Sequence, residues 1–274
     1  MGTLVLVATP IGNLGDLQPR AIEVLAGAAL VCCEDTRRSG RLLQHAGISA
    51  QRLRRVDDHT EHSATSDILD VLRSGATVAL VTDAGTPGIS DPGHRVVRAA
   101  IDDGHTVSAV PGPTAFVMAL VISGLPCERF VFEGFLPRSG AERKQRVQAV
   151  LSEQRTVVLY EAPHRVRRTV DDLGAACDPN RRIAICRELT KMHETVWRGT
   201  IADASLHLAS TEPLGEYVLV LEGAAPEEPA DDSAVVDMLR NAMAAGSTKR
   251  DAAAEVARLT GRSRREVYDL TLGL

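Results

Sequence analysis

Residues 3–8 (TLVLVA) form an unbroken apolar run with β-branched members, closed by the turn-forming stretch TPIGN. A run so short and so evenly apolar suits a strand buried on both faces. Similar runs recur at 29–33, 77–81, 106–110, 130–133, 156–160, 182–186 and 217–221. Between the early runs the apolar residues change to helical spacing. Residues 19–25 open on Pro19, 66–72 carry Ile68, Leu69, Val71 and Leu72, and 94–101 carry Val96, Val97 and Ile101. Strands and helices alternating at this spacing predict βαβ units and a largely parallel sheet.

The spacing changes past residue 122, where Ser123-Gly124-Leu125-Pro126 forms a breaker cluster. Helices are predicted near 141–151 and 164–173, and ETVWRGT (194–200) alternates like an antiparallel strand, so a second α/β domain with a mixed sheet is expected. AAPEEPADDS (224–233), with two prolines, four acids and no base, reads as a solvated linker. Two or three short helices follow. Ser263 and Glu266 have capping-box spacing, and Gly261 suits the end of the preceding helix. The expected organisation is an N-terminal α/β domain at 1–122, a second α/β domain at 123–224, a linker at 225–233 and a small helical region at 234–274.

A net charge of −5 over 274 residues excludes a uniformly basic nucleic-acid coat, and 3% aromatics argues against a base-stacking platform. A local basic patch is compatible with both. The five cysteines (Cys32, Cys33, Cys127, Cys177, Cys186) are odd in number and lack a C-x-x-C pair, which fits a reducing compartment better than a disulfide framework or zinc site. No apolar segment reaches the roughly 18 residues of a membrane span, and the N-terminus lacks a basic leader, so a cytoplasmic location is expected.

The missing motifs narrow the chemistry. No two glycines are separated by one residue, which removes the dinucleotide fingerprint and the glycine loop of Rossmann methyltransferases. No glycine precedes a lysine, so there is no Walker A loop. DDHTEH (57–62) has metal-like composition but no second ligand cluster nearby, and reads as a polar strand-end loop; no metal is expected.

Four Gly- and Pro-rich polar loops each follow an apolar run: TPIGNLGDL (9–17), CEDTRRSG (33–40), TDAGTPGISDPG (82–93) and PGPTA (111–115). In an open parallel sheet such loops converge on one rim, where ligands bind. The third holds three glycines, two aspartates, two threonines and a serine, with no Lys or Arg between residues 74 and 94. It therefore suits an uncharged or zwitterionic nucleoside better than a polyphosphate. YEAPHR (160–165) and RELTK (187–191) place polar groups at two later strand ends. Residues 129–168 carry nine Arg or Lys against four Glu, a local +5 that suits a polyanion.

TPIGNLGDL, CEDTR, TDAGTPGISDPG, PGPTA, FEGFLP, YEAPHR and RELTK occur in this order, and with them the chain resembles the bacterial small-subunit ribosomal RNA cytidine 2′-O-ribose methyltransferases, a family of the tetrapyrrole-methylase superfamily. The resemblance covers about residues 3–222 and is weaker beyond. It implies two α/β domains with an S-adenosylmethionine cleft between them, a homodimer, and 16S rRNA as partner within the small ribosomal subunit. Two departures are Thr82, where the family often has Ser, and Thr60, where a His-Asn-Glu stretch becomes His59-Thr60-Glu61.

On that resemblance, Pro10, Asp83, Gly85, Ile89, Ser90, Thr114, Ala115, Tyr160, Ala162 and Thr190 are expected to hold the cofactor. Arg37, Arg138, Arg143 and Arg165 are expected to meet RNA phosphates, which guanidinium groups bind bidentately. A base or oxyanion-stabilising cation for the ribose hydroxyl is sought among Asp35, Glu61, Glu161, His164 and Lys191, among which the sequence does not choose. Methylation of a precorrin-type tetrapyrrole carbon, and a nonenzymatic cofactor-binding module, are the competing functions. A porphyrinoid site should be broad and apolar, whereas arginines lie near these cleft motifs.

Overall fold

A computed structural model describes residues 1–49, 52–57, 60–226 and 231–274, which divide into two compact units, 1–224 and 225–274. The first unit contains two five-stranded sheets. The first sheet comprises β1 (Thr3–Val7), β2 (Leu30–Cys33), β3 (Leu53–Arg55), β4 (Thr77–Leu80) and β5 (Thr106–Val110), in the order β3-β2-β4-β1-β5 and wholly parallel. Its connections are α1 (Pro19–Gly27), α2 (Thr36–His45), α3 (Glu61–Arg73) and α4 (His94–Asp102). Leu4, Leu30, Leu80, Ile68 and Leu72 pack one face of the sheet, and Val5, Val7, Val31, Leu25 and Leu43 pack the other. Burial on both faces is what the uniformly apolar strand sequences require.

After α5 (Ala115–Ser123), Gly124 ends the helix in the left-handed region (φ 78°), where glycine carries no Cβ penalty. The second sheet then begins: β6 (Phe130–Phe135), β7 (Thr156–Glu161), β8 (Arg182–Arg187), β9 (Thr195–Thr200) and β10 (Tyr217–Leu221), in the order β6-β7-β10-β8-β9. Only β6 and β7 pair in parallel, so the sheet is mixed, and the alternating stretch near 194–200 is an antiparallel edge strand. The helices α6 (Gly140–Ser152), α7 (Pro163–Gly174) and α8 (Ile201–Ser210) cover one face, and α5 covers the other.

The second unit holds α9 (Asp232–Ala244), α10 (Lys249–Thr260) and α11 (Arg264–Leu270) around Val235, Leu239, Val256 and Val267. The Ser263/Glu266 capping box is formed, and Gly261 ends α10 at φ 68°. Of the expected linker, residues 227–230 lie outside the described residues, as does His59 of the DDHTEH loop.

Four elements depart from the periodicity reading. The stretch 33–40, read as a loop, turns at Asp35 into α2, whose carboxylate caps the helix by accepting from the Arg37 N–H. Only Ser39, Leu42 and Leu43 of α2 are buried, too few to stand out in an arginine-rich sequence. The helix α5 is apolar all round and has no period to detect; β3 is only three residues long; α8 follows β9 without a break.

Candidate active site

The loops after β1 and β4 are joined by a two-residue antiparallel bridge: Thr9 N–H donates to Gly85 O at 2.9 Å and Gly85 N–H to Thr9 O at 3.0 Å. Gly85 adopts φ 87° to make this turn. The Thr9 hydroxyl also donates to Thr82 O at 3.1 Å. Across the loop, the Thr86 and Thr114 hydroxyls meet at 2.8 Å. Ser90 sits at φ 59°, a left-handed conformation uncommon for a residue with a Cβ and concentrated at functional sites.

These loops, with the ends of β6, β7 and β10, enclose a cavity of about 390 Å³. Asp83, Gly85, Ile89, Ser90, Thr114, Ala115, Tyr160 and Ala162, all expected from the sequence, line it. Ile11, Glu34, Arg38, Thr86, Asp91, Phe135, Glu216 and Val218 also line it and were missed. Most of these lie within or beside the motifs already singled out; Glu216 and Val218 carry no local signal because the antiparallel placement of β10 beside β7 brings them there. Burial pushes the Tyr160 phenol up, keeping it protonated, while its oxygen accepts from the Phe116 N–H at 3.2 Å and fixes the first turn of α5.

Two expected cofactor residues fall elsewhere. Pro10 lines an adjacent recess rather than this cavity. Thr190 is also absent from the cavity wall; it is in a left-handed conformation (φ 66°) with its hydroxyl turned toward Gly12.

Of the five candidates for base or cation, only Glu161 lines the cavity. It is 2% exposed and accepts from the Thr169 hydroxyl at 2.5 Å, the Ala162 N–H at 2.9 Å and, in an ion pair, Arg165 Nε at 3.2 Å. Those bonds make it an anchor for the 160–165 loop. Glu61 is corrected to a structural role: buried, it accepts from the Gly93 and Arg95 N–H groups at 3.0 and 3.1 Å, satisfying the open amides at the start of α4. Lys191 does not line the cavity either. Burial draws its pKa down, but the Glu188 and Glu216 carboxylates at 2.7 and 2.9 Å outweigh that and hold it above the ordinary lysine value, as a cation. The Arg37 guanidinium holds the Asp35 carboxyl well below the usual carboxylate range while it caps α2. His164 is exposed on the first turn of α7 and does not line the cavity.

The arginines divide as well. Arg37 and Arg138 are exposed. Arg143 is corrected: it is 3% exposed, and its guanidinium donates to Asp172 at 2.8 Å, Pro137 O at 3.0 Å and the Thr169 hydroxyl at 2.9 Å, leaving no fork for a phosphate. Arg165 is largely occupied, donating to Leu136 O at 2.5 Å and pairing with Glu161. Among the described residues no group of three or more His, Cys, Asp or Glu side chains is placed to hold a metal ion, and no helix is long and apolar enough to cross a membrane.

The family model for Tetrapyrrole (Corrin/Porphyrin) Methylases matches residues 3–205, and that for the RsmI C-terminal HTH domain matches 229–274, inside the second unit. Among solved structures, the methyltransferase CobJ aligns with TM-score 0.61 at 19% identity, covering 83% of this chain and 97% of that one. The uroporphyrin-III-C-methyltransferase from Thermus thermophilus aligns with TM-score 0.56 at 23% identity, covering 81% and 94%. These likenesses establish the fold. Ribosomal RNA small subunit methyltransferase I of a Synechocystis species is 46% identical over 100% of this chain and 99% of its own length. The proteins of the same name from Xylella fastidiosa and Mycobacterium tuberculosis are 42% and 43% identical over 97% and 99% of this chain, and over 98% and 95% of their own lengths. A methylase fold end to end in the first unit, a matching second unit and full-length identity at this level lead to one conclusion: the chain belongs to the ribosomal RNA small subunit methyltransferase I family, and it is a methyltransferase.

Proposed function

We propose that the enzyme transfers a methyl group from S-adenosylmethionine to the 2′-hydroxyl of a cytidine ribose in 16S ribosomal RNA, acting on the small ribosomal subunit in the cytoplasm as a homodimer. The observation that carries the donor is the lining of the cavity wall: five carboxylates, Glu34, Asp83, Asp91, Glu161 and Glu216, three of them paired with Arg38, Arg165 and Lys191, and one guanidinium, Arg38. An acid-rich wall suits a ligand bearing a sulfonium and an ammonium, and disfavours a polyphosphate. Ile11, Ile89, Ala115, Phe135 and Val218 supply apolar surface for an adenosine, and the Thr86, Ser90 and Thr114 hydroxyls supply polar contacts. The names of the full-length relatives support the RNA substrate.

S-adenosylmethionine supplies an already activated methyl electrophile, so this chain has chiefly to orient the reactants and exclude water. Alignment alone lowers such a barrier by roughly 7–11 kcal/mol. Asp83, held by the Asp35 N–H at 3.1 Å and by Arg38, is a fixed acceptor at the cavity edge. Glu161, through Thr169 and Arg165, keeps the 160–165 loop and the Tyr160 ring in place. Mass analysis of 16S rRNA nucleosides from a deletion strain and its complemented partner tests the assignment: the 2′-O-methylated cytidine should disappear and return. An unchanged nucleoside profile would refute it.

A further inference from the structure

A second recess of about 260 Å³ adjoins the acid-rich cavity and shares two lining residues with it, Arg38 and Asp83. Those two side chains pair with each other, Arg38 Nη1 to Asp83 Oδ2 at 3.3 Å. The recess differs from its neighbour in character. Pro10, Leu14 and Leu42 give it an apolar floor, and Arg38 and Arg41 give it positive charge against Asp83 alone. Arg41 is exposed and makes no ion pair among the described residues, and Arg37 continues the basic strip along the outer surface of α2.

We infer that this recess is the acceptor subsite, seating the ribose of the target nucleotide on Pro10 and Leu14 with an adjoining RNA phosphate on Arg41. The inference rests on the methyl transfer to RNA proposed above. In-line transfer needs the attacking oxygen about 3–3.5 Å from the methyl carbon, so the acceptor must sit where it opens onto the donor cavity. The recess adjoins that cavity at Arg38 and Asp83, which line both, so an acceptor seated in it lies next to the donor. Its apolar side chains and its two guanidinium groups match the two parts of a nucleotide. Arg38, paired with Asp83 and lining both spaces, becomes a positioning residue.

The test uses the full-length enzyme, S-adenosylmethionine and small subunits purified from a strain lacking the enzyme. Arg41→Gln should raise the KM for subunits about tenfold, as loss of a charge-assisted contact does, and lower the slope of log affinity against log salt by about 0.7–0.9. Arg41→Lys should restore the slope. Leu14→Trp, which fills the recess without changing charge, should reduce kcat/KM for subunits. Cofactor affinity by calorimetry should stay at the wild-type value in all three. Unchanged subunit kinetics in both Arg41→Gln and Leu14→Trp would overturn the subsite. So would a matched loss of cofactor affinity, which would assign the recess to the donor. Wild-type enzyme that binds S-adenosylmethionine yet transfers nothing to subunits overturns the RNA reading and the subsite with it, an outcome seen before any variant is made.

Discussion

Arg143 provides a sharp test of how the polar interior is built. It is nearly fully buried, and its three donors satisfy Asp172 on α7, the carbonyl of Pro137 before α6 and the Thr169 hydroxyl. Thr169 passes the interaction on to Glu161 at the cavity wall. Arg143→Ala removes the cation and leaves Thr169 and Pro137 O without their donor. Removing one partner of a buried ion pair costs about 3–5 kcal/mol. The Asp172 side chain is 37% exposed and regains water, so the lower end, about 3 kcal/mol, is expected. For a unit of 224 residues that is a fall of about 6–12 °C in Tm. Thermal and urea unfolding followed by circular dichroism measure it. Arg143→Lys should recover little, because an ammonium cannot reproduce the fork. A loss below about 1 kcal/mol, within reach of an ordinary surface substitution, would refute the buried network. A folded Arg143→Gln variant whose RNA affinity loses salt dependence, with Arg143→Lys restoring it, would return the residue to the RNA surface.

Asp83→Asn should weaken S-adenosylmethionine binding about tenfold by removing the carboxylate charge and its ion pair with Arg38. Arg138→Ala should leave cofactor affinity intact and lower the RNA salt slope by about 0.7–0.9; equal effects of the two on calorimetric cofactor affinity would contradict the division. For Lys191, the carboxylates hold its pKa above 10.5, and Glu188, despite burial that raises it, is held below 4.5 chiefly by the lysine. The pair's stabilisation is therefore full between those values, lost as pH falls through the depressed Glu188 pKa and lost again as pH rises through the elevated Lys191 pKa. Lys191→Met should be most destabilised relative to wild type in that window, and a difference independent of pH in urea titrations would count against the pairing. The proposed homodimer is expected to bury Val117 and Val121, exposed and four residues apart on α5. Val121→Glu should shift sedimentation toward monomer; a monomeric wild type would remove that reading.

Periodicity reports burial, and burial is what the sheets are made of, so the strands of both sheets were legible except β3, which has three residues and no interior. The same logic explains α2 and α5. Mostly exposed α2 has a polar sequence interrupted by few core contacts, and α5, packed among Val158, Val218 and Val220, is apolar on every side. Neither leaves the one-sided pattern from which a helix is read. The cavity was legible where a whole loop faces it, as at 82–93, because every residue of such a loop bears the mark of the turn. It was not legible where a single residue enters from a neighbouring strand, as Glu216 and Val218 do.

The placement of charge shows the deeper limit. Counted along the chain, 129–168 is the most basic feature considered and was read as the RNA footprint. In the fold most of that charge is occupied internally. Arg143 and Arg165 hold loop carbonyls and carboxylates, Arg146 pairs with Glu133, Arg155 with Glu153, and Arg167 binds the carbonyls of Leu208 and Thr211. Arg37, expected to meet RNA phosphates, stands with Arg38 and Arg41 in a shorter stretch, and α2 brings them to the recesses beside the cavity. A guanidinium offers five donors, and a fold with few lysines uses it as readily to tie backbone carbonyls as to meet phosphate. Charge summed over sequence cannot separate the two uses, because the distinction lies in which donors the folded chain has already satisfied. By that criterion single side chains rather than stretches have the claim: Arg41 on α2 and Arg138 before α6 are exposed and outside any ion pair among the described residues, whereas Arg37 and Arg38 are paired with Asp35 and Asp83.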